Sequence, residues 1–333
     1  MANADGVEKL EDAIVRSAEQ VAGQIRAAKE AIGTVIYGQD RVIENTLVTI
    51  LSGGHALLIG VPGLAKTKLV ETLGITLGLD AKRIQFTPDL MPSDILGAEV
   101  LDESNSGKRS FRFISGPVFA QLLMADEINR ASPRTQSALL QAMQEQHITV
   151  AGARHDLPKP FHVLATQNPL EQEGTYPLPE AQLDRFLMEI DVDYPDRDAE
   201  RRILFETTGA EETLAKASMN AEILIAAQRL VRRLPVGDSV VEAILSLVRS
   251  ARPNPDGDGD KLIAWGPGPR ASQSLMLAVR ARALLDGRLA PSIDDVLDLA
   301  EPVLKHRMAL TFSARAEGRT IPDVIRQLKT RIG

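Results

Sequence analysis

The chain has 333 residues, of which 44% are hydrophobic and 25% are charged, with a net charge of −7 at pH 7 and no cysteine. These values are ordinary for a globular protein of two domains or one large one, and the lack of cysteine excludes disulfides, thiolate catalysis and zinc–thiolate sites. The negative charge and an aromatic content of 4% argue against a nucleic-acid partner. No apolar run approaches the roughly 18 residues of a membrane span, and the N-terminus shows no secretory signal, so we expect a cytoplasmic protein.

Apolar residues recur at helical spacing from about Val7 to Ile32 and again after Gln39, which predicts two helices before the first strand. Short apolar segments then alternate with further helical patterns. This alternation predicts a parallel sheet with helices on both faces. The strand candidates are, in chain order, His55–Ile59, Arg83–Phe86, Gln121–Ala125, Phe161–Thr166 and Phe186–Val192.

Two segments interrupt this alternation. Residues 97–115 carry short β-like pieces around a turn at Ser104–Gly107, and residues 148–163 predict a hairpin with Gly152 near its tip. After Pro195 the strand pattern stops and the sequence predicts helices. We therefore expect an α/β nucleotide-binding domain over residues 1–195, followed by a smaller all-α domain over residues 196–333.

A glycine loop joins the strand candidate His55–Ile59 to a helical pattern. Strand, glycine loop, Lys-Thr and helix form the context that a phosphate-binding loop requires, although an ordinary Gly/Pro turn could also join a strand to a helix. Lys66 is expected to reach the β- and γ-phosphates of a nucleotide, and the Thr67 hydroxyl to ligate Mg²⁺. Ala65 stands where this motif usually has glycine. A methyl group there is tolerable only if the φ of that residue is negative. The expected phosphate-binding residues are Gly60, Val61, Pro62, Gly63, Leu64, Ala65, Lys66, Thr67 and Lys68.

An acid pair, Asp126 and Glu127, ends the apolar strand candidate Gln121–Ala125. A buried strand in a parallel sheet delivers such residues to the crevice where α/β proteins bind ligands, although an acid pair at a strand end could also begin a solvated loop. Asp126 is expected to hold Mg²⁺, directly or through a water molecule, and Glu127 to polarise the water that attacks the γ-phosphate.

Three polar residues follow in an order that fits the same chemistry. Asn168 follows the strand candidate Phe161–Thr166 and would lie beside the acid pair if the two strands are adjacent. Arg185 precedes the last strand candidate, and Arg270 begins a helix of the C-terminal half. Singly these residues could be a turn former, a surface charge and an ion-pair partner. Their order after a phosphate loop and an acidic strand end favours a shared site.

With these motifs the chain resembles the AAA+ ATPases, and within them the MoxR family, from about Ile32 to Leu328. Gly60–Thr67 is similar to the Walker A motif, in which alanine at position 65 is normal for this family, and Met124–Ala131 is similar to Walker B and its continuation. The segments Gln85–Asp94 and Leu178–Phe186 resemble further signatures of the family.

The resemblance implies a five-stranded AAA+ core followed by a helical lid, with ATP or ADP and Mg²⁺ as ligands. It implies that Asn168 is sensor 1, that Arg270 is sensor 2 in the lid, and that Tyr37, Gly38 and Gln39 lie near the adenine. Arg185 matches the arginine finger, which acts on the nucleotide of the neighbouring subunit, with Arg130 and Arg134 as alternatives. The interruption at residues 97–115 resembles the helix-2 insert, and residues 148–163 resemble the hairpin before sensor 1.

The resemblance also implies a homo-oligomer, with a hexameric ring as the expected form. The ring would spend ATP hydrolysis on remodelling or activating a protein client, and a protein with a von Willebrand factor A domain is an expected partner. Two other functions stay open at this point. The chain could be a nucleic-acid motor, since related branches include replicative helicases, or a nucleotide switch that does not hydrolyse. Net charge argues against the first and the intact Glu127, Asn168 and Arg185 argue against the second.

Overall fold

The protein was studied as a computed structural model, which describes residues 4–103, 109–171, 173–209, 214–253 and 262–332. The turn expected at Ser104–Gly107 lies outside these residues. The strands are β1 (Ala56–Ile59), β2 (Ala81–Gln85), β3 (Gly97–Glu103), β4 (Arg109–Ser115), β5 (Leu122–Asp126), β6 (His147–Val150), β7 (Ala153–Asp156), β8 (His162–Gln167), β9 (Met188–Asp191), β10 (Ile263–Trp265) and β11 (Ala309–Leu310).

The helices account for most of the remaining described chain. Short 3-10 turns follow β5 at Ile128–Arg130 and precede β11 at Lys305–Arg307. The helices are α1 (Ala4–Gly33), α2 (Asp40–Leu51), α3 (Lys66–Leu77), α4 (Pro92–Leu96), α5 (Pro133–Glu145), α6 (Glu180–Leu183), α7 (Arg197–Thr207), α8 (Ala221–Val231), α9 (Asp238–Ser250), α10 (Pro269–Leu285), α11 (Ile293–Leu304), α12 (Phe312–Ala316) and α13 (Ile321–Lys329).

The central sheet is parallel and has the strand order β2-β5-β8-β1-β9, which confirms the predicted five-stranded α/β core. Two interior strands of this sheet, β5 and β8, are almost wholly buried, as expected of strands covered on both faces. Because the strands are parallel, they all begin at one edge of the sheet, here called the amino edge. They all end at the opposite edge, called the carboxyl edge.

Side chains alternate between two cores, one on each face of the sheet. Leu57 of β1 and Val163 of β8 belong to the core that α5 covers. Their neighbours Leu58 and Leu164 belong to a larger core that includes α1, α2, α3 and the C-terminal helices. This larger core is continuous across residue 195, so the strand-bearing and helical parts of the chain pack as one hydrophobic body.

The helical C-terminal part agrees with the prediction and adds a feature that the sequence did not indicate. β10 and β11 pair antiparallel as a two-stranded ribbon. Each strand is only two or three residues long, which is too short to show an alternating pattern. At α11 the local chemistry is as expected of a helix start, because Ser292 and Asp295 form a reciprocal capping box.

The two interruptions form antiparallel hairpins. β3 pairs with β4 over residues 97–115, as predicted. β6 pairs with β7, and this hairpin ends at Asp156 rather than near residue 163. Residues from His162 onward belong to β8 of the central sheet instead. None of the described helices has the length and apolar character needed to cross a membrane.

Candidate nucleotide site at the carboxyl edge

The glycine loop lies at the carboxyl edge, between β1 and the start of α3. A side chain at Gly60 would bring its Cβ within 2.6 Å of the Val192 carbonyl oxygen, since β9 ends directly beside the loop. Gly63 has a φ of +87°, a conformation that L-residues rarely adopt. These two positions therefore require glycine for different reasons, one for space and one for backbone conformation.

Ala65 departs from the sequence-based expectation. A negative φ was expected there, but the residue has φ 56° and ψ 20°, in the left-handed region, where it caps α3. Ala65 is the residue directly before the first helical residue, Lys66, at the point where the loop turns into the helix. The methyl group is therefore accommodated with backbone strain rather than by a change of backbone conformation.

Lys66 folds back over the loop that precedes it. Its Nζ donates to the carbonyl oxygens of Gly60 and Val61, the latter at 3.1 Å. Burial lowers the pKa of Lys66, and the nearby carboxylates of Asp126 and Glu127 oppose that shift. The ammonium group is thus partly desolvated and held within reach of an anion seated on the loop.

The acid pair ends β5 beside the loop. Asp126 Oδ1 accepts a hydrogen bond from the Thr166 hydroxyl of β8 at 2.5 Å, and the same hydroxyl accepts from the Glu127 backbone N–H at 2.8 Å. Glu127 has a φ of 54°, which turns the chain sharply at the strand end. Thr166 therefore fixes both acids against the neighbouring strand.

Asn168 follows β8 directly, and β8 is the neighbour of β5 in the sheet. Its side-chain oxygen accepts from the Leu170 N–H at 3.1 Å, which orients the amide. The adjacency that the sequence analysis required is present. One cavity of about 490 Å³ is lined by Lys66, Thr67, Arg83, Asp126, Glu127 and Asn168, among others.

Two residues of this cavity were missed by sequence reasoning. Arg83 Nη2 lies 2.5 Å and Nε 3.2 Å from Asp126 Oδ2, while Gln85 Nε2 donates to Glu127 Oε2 at 2.7 Å. Both side chains come from β2, where alternate residues share one face. The spacing of Arg83 and Gln85 indicates that both side chains lie on one face of a strand. It points to the site only once Gln85 is known to pair with Asp126 in the sheet.

A second cavity, of about 350 Å³, adjoins the loop on its other side and is lined mainly by apolar groups. Tyr37 and Gln39 line it as expected for residues near a base, together with Ile36 and Leu64. Gly38 lies beside it, facing a neighbouring cavity. Ile203 and Thr207 of α7 complete the wall, although the sequence predicted α7 only as a helix.

Arg185 and Arg270 lie away from these cavities, at the amino edge. Arg185 precedes β9 and lies two residues before Leu187, whose N–H donates to the His55 carbonyl at 2.8 Å. Arg270 Nη1 lies 3.3 Å from Asp184 Oδ2. The sheet is four to six residues deep along its strands, which corresponds to roughly 13–20 Å, so the structure does not bring either arginine to the phosphate loop of its own chain.

Arg130 and Arg134 have different surroundings. Arg130 Nη1 lies 3.0 Å from Glu127 Oε2, and this contact raises the pKa of the Arg130 guanidinium. Arg130 is therefore a partner of the acid pair in its own chain. Arg134 is exposed in the first turn of α5.

The oxygen groups at the carboxyl edge suit a magnesium ion. Thr67 and Asp126 line the same cavity, and hydroxyl and carboxylate oxygens are the ligands that Mg²⁺ takes in nucleotide sites. The donor set therefore fits a divalent cation.

Comparisons with known proteins agree with this geometry. Residues 55–188 match the model of the ATPase family associated with various cellular activities (AAA), and residues 260–328 match the AAA lid domain. The chain is 42% identical to chaperone MoxR1 of Mycobacterium tuberculosis over 92% of this chain and 82% of that protein. It is 33% identical to protein MoxR of Paracoccus denitrificans over 86% of this chain and 89% of that protein.

A solved structure supports the same relationship. The crystal structure of a candidate ATPase from Cytophaga hutchinsonii superposes with a TM-score of 0.88 at 36% sequence identity, covering 96% of this chain and 97% of that one. With relatives this similar over nearly their whole length, the chain belongs to the MoxR family of AAA+ ATPases.

Proposed function

We propose that this chain hydrolyses ATP as a ring-forming ATPase and uses the cycle to remodel or activate a protein client. The observation that carries the proposal is the convergence of Lys66, Thr67, Asp126, Glu127 and Asn168 on one cavity at the carboxyl edge. In this proposal residues 1–195 form the nucleotide-binding core, and residues 196–333 form the lid.

Each residue then has a stated role. Lys66 holds the β- and γ-phosphates, while Thr67 and Asp126 hold Mg²⁺. Bound Mg²⁺ neutralises negative charge on the phosphates. Glu127 polarises the attacking water and Asn168 orients it, which needs positioning more than covalent chemistry. The adenine would occupy the apolar cavity between Tyr37 and α7, with Ile203 against one face.

The two arginines at the amino edge support a site shared between subunits. Because Arg185 and Arg270 lie at the sheet edge opposite the phosphate loop, we assign both to the nucleotide of a neighbouring subunit. For Arg270 this replaces a lid-borne role within its own chain. Arg130 is less suited to act on a neighbour, since Glu127 of its own chain holds it.

Surface chemistry favours a protein client over nucleic acid. Leu101 and Phe111 are paired across the β3–β4 hairpin and are 55% and 71% exposed, and exposed apolar pairs of this kind mark contact sites for proteins. On the neighbouring β6–β7 hairpin, Arg154 is paired with Asp156 at 2.8 Å and His155 stacks on Phe113. Two basic or titratable groups of this hairpin that could contact a phosphate backbone, Arg154 and His155, are therefore engaged within the chain.

The proposal is tested by replacing Glu127 with glutamine. Glu127→Gln should bind a fluorescent ATP analogue as the wild type does and lose turnover by roughly 10²–10⁴-fold, the usual contribution of a general base. Glu71→Gln on the exposed face of α3 is the matched control and should retain turnover. Unchanged turnover in Glu127→Gln would remove the assigned role from Glu127, and an absence of ATPase activity in the wild type would sink the proposal.

The same variant addresses the client and the assembly. A nucleotide-locked Glu127→Gln protein should retain its ring in ATP, measured by light scattering, and should capture client protein that wild type with ADP releases. A von Willebrand factor A domain protein among the captured species would support the expected partner. Stimulation of ATPase activity by DNA at physiological salt would instead favour the nucleic-acid motor.

A further inference from the structure

Both oxygens of the carboxylate assigned to magnesium accept hydrogen bonds within the chain. Asp126 Oδ1 accepts from the Thr166 hydroxyl at 2.5 Å. Asp126 Oδ2 accepts from Arg83 through both Nη2, at 2.5 Å, and Nε, at 3.2 Å. A carboxylate oxygen that two guanidinium N–H groups share is not available to a metal ion until the arginine moves.

Arg83 reaches this carboxylate from the outside of the molecule. It lies on β2, the edge strand of the sheet, and its side chain is 50% exposed whereas that of Asp126 is 12% exposed. Arg83 Nη2 also lies 2.9 Å from Gln85 Oε1, so the guanidinium spans the mouth of the cavity. Its solvent-facing position allows it to leave Asp126 without unpacking the core.

The position that Arg83 occupies conflicts with a divalent cation. Two positive groups on one carboxylate oxygen repel each other strongly in a partly buried site, where charges are poorly screened. Binding of Mg²⁺ with nucleotide therefore requires Arg83 to give up Asp126, and the strength of that ion pair subtracts from the affinity of the site for the metal.

We propose that Arg83 is an internal counter-ion of Asp126 that competes with Mg²⁺ and sets the magnesium concentration at which the nucleotide site loads. This inference rests on the proposed function, which assigns Asp126 to the metal. It makes Arg83 a positioning residue: the guanidinium keeps the Asp126 side chain in place while the site is empty and turns toward solvent once the site fills.

Magnesium titrations at a fixed concentration of a fluorescent, non-hydrolysable ATP analogue test this inference without turnover. Arg83→Met should lower the Mg²⁺ concentration for half-maximal binding by about threefold to tenfold, the range expected when a partly exposed ion pair no longer competes. Arg83→Gln should shift it in the same direction. Arg83→Lys, which retains the charge, should stay nearer to the wild type.

The matched control is Lys82→Met. Lys82 is the preceding residue on β2, its Nζ donates to the Phe119 carbonyl at 3.1 Å, and its side chain lies on the other face of the strand. Removing this charge should leave the half-maximal Mg²⁺ concentration within twofold of the wild type. A shift as large as that of Arg83→Met would indicate a general charge effect and would overturn the proposed competition.

The remaining outcomes are distinguishable. An unchanged or raised half-maximal Mg²⁺ concentration in Arg83→Met and Arg83→Gln, with wild-type binding that depends on Mg²⁺, would overturn the role of Arg83 and leave the proposed function standing. Wild-type binding that does not depend on Mg²⁺ would overturn the proposed competition, whereas the proposed function fails only if the wild type shows no ATPase activity. The melting temperature of each nucleotide-free variant shows that it is folded, and Arg83→Gln replaces Arg83→Met if the latter is not.

Discussion

Polar side chains lie at both edges of the central sheet, but they face a cavity at one edge and are bonded within the chain at the other. At the carboxyl edge, Lys66, Asp126 and Glu127 face a cavity, and two non-glycine residues, Ala65 and Glu127, have positive φ. At the amino edge, His162 and Arg307 are buried and hydrogen-bonded within the chain. His162 Nδ1 lies 2.8 Å from the Gly54 carbonyl, and its Nε2 lies 3.0 Å from Gln228 Nε2 of α8.

The carboxyl edge is therefore a binding surface, whereas the amino edge attaches the helical part of the chain to the sheet. Arg307, with a side chain only 1% exposed, joins Asp184 Oδ1 at 2.7 Å and the Phe186 carbonyl at 2.7 Å. These bonds attach the helical part of the chain to the start of β9 and hold the segment that carries Arg185. Buried polar groups that have hydrogen-bond partners hold the chain in a single arrangement. The polar groups of the carboxyl edge face a cavity instead, where a ligand can bind.

The largest effect is expected when the phosphate loop is disabled in one subunit and the proposed arginine finger in another. Arg185→Ala should abolish turnover alone, since a finger supplied by a neighbour is worth about 10³–10⁵ in rate. Lys66→Ala should also abolish turnover alone, since it removes the lysine that holds the β- and γ-phosphates. A 1:1 mixture should recover activity at about a quarter of the sites, where an intact loop meets an intact finger across a head-to-tail interface. Turnover of the mixture, with ring assembly confirmed by light scattering, measures this.

A mixture of Arg185→Ala with the double variant Lys66→Ala/Arg185→Ala is the control and should stay inactive. Equal and measurable activity in both mixtures would show that Arg185 does not act on a neighbour. No recovery in the first mixture, in assembled rings, would transfer the role to Arg134 or Arg130.

The amino edge should respond most to loss of its buried arginine. Arg307→Met leaves Asp184 and several backbone carbonyls without their donor, and breaking a buried ion pair costs about 3–5 kcal/mol. Arg270→Met removes the other partner of Asp184, whose guanidinium is half exposed, and should cost less than about 1 kcal/mol. Urea unfolding measures both, and equal losses would contradict the role of Arg307 in attaching the helical part of the chain to the sheet.

The buried histidines of the amino edge predict a dependence of stability on pH. Burial lowers the pKa of His162 to about 4 and that of His55 to about 3. Both rings are neutral in the folded chain, as their bonds require, because His55 Nδ1 accepts from the Val163 N–H at 2.9 Å. In the unfolded chain they take up protons below about pH 6.5.

Protonation of the unfolded state therefore lowers the free energy of unfolding as the pH falls from 6.5 toward 4. Each histidine contributes a loss on the order of 2 kcal/mol by pH 5. His162→Gln is destabilised at pH 7.5, and its deficit relative to wild type should shrink at pH 5 by about that amount, measured by urea unfolding at both pH values. A deficit that stays constant would show that His162 is not held neutral.

The sequence was sufficient for features that local patterns determine. The β5 and β8 strands were visible as apolar runs, and Asn168 was expected to lie beside the acid pair if these strands are adjacent, which they are. The position of the glycine loop before α3 followed from its own residues. Each of these depends on a few consecutive side chains and on the parallel order that strand–helix alternation imposes.

Features that depend on distant partners could not be predicted in this way. Arg83 lies beside Asp126 because of the register of β2 against β5. Arg307 binds Asp184, which lies 123 residues earlier in the sequence. Arg270 was expected to act as sensor 2 in the lid, and its ion pair with Asp184 at the amino edge depends on packing that the residues near it do not encode. The φ of Ala65 is likewise fixed by the turn between β1 and α3 rather than by the residue itself.

The smallest effect concerns the strain stored at the carboxyl edge. Ala65 in the left-handed region costs about 1–2 kcal/mol, and glycine there would relieve this while losing roughly 0.4–1 kcal/mol through the freer unfolded chain. Ala65→Gly should therefore raise the free energy of unfolding of the nucleotide-free protein by about 0.5–1 kcal/mol. Gly63→Ala, at φ +87° with open space around its Cβ, is the reverse exchange and should lower it by a similar amount. If Ala65→Gly instead destabilises the chain, the alanine methyl makes contacts that outweigh its backbone strain, and the backbone strain of non-glycine residues at the carboxyl edge would then rest on Glu127 alone.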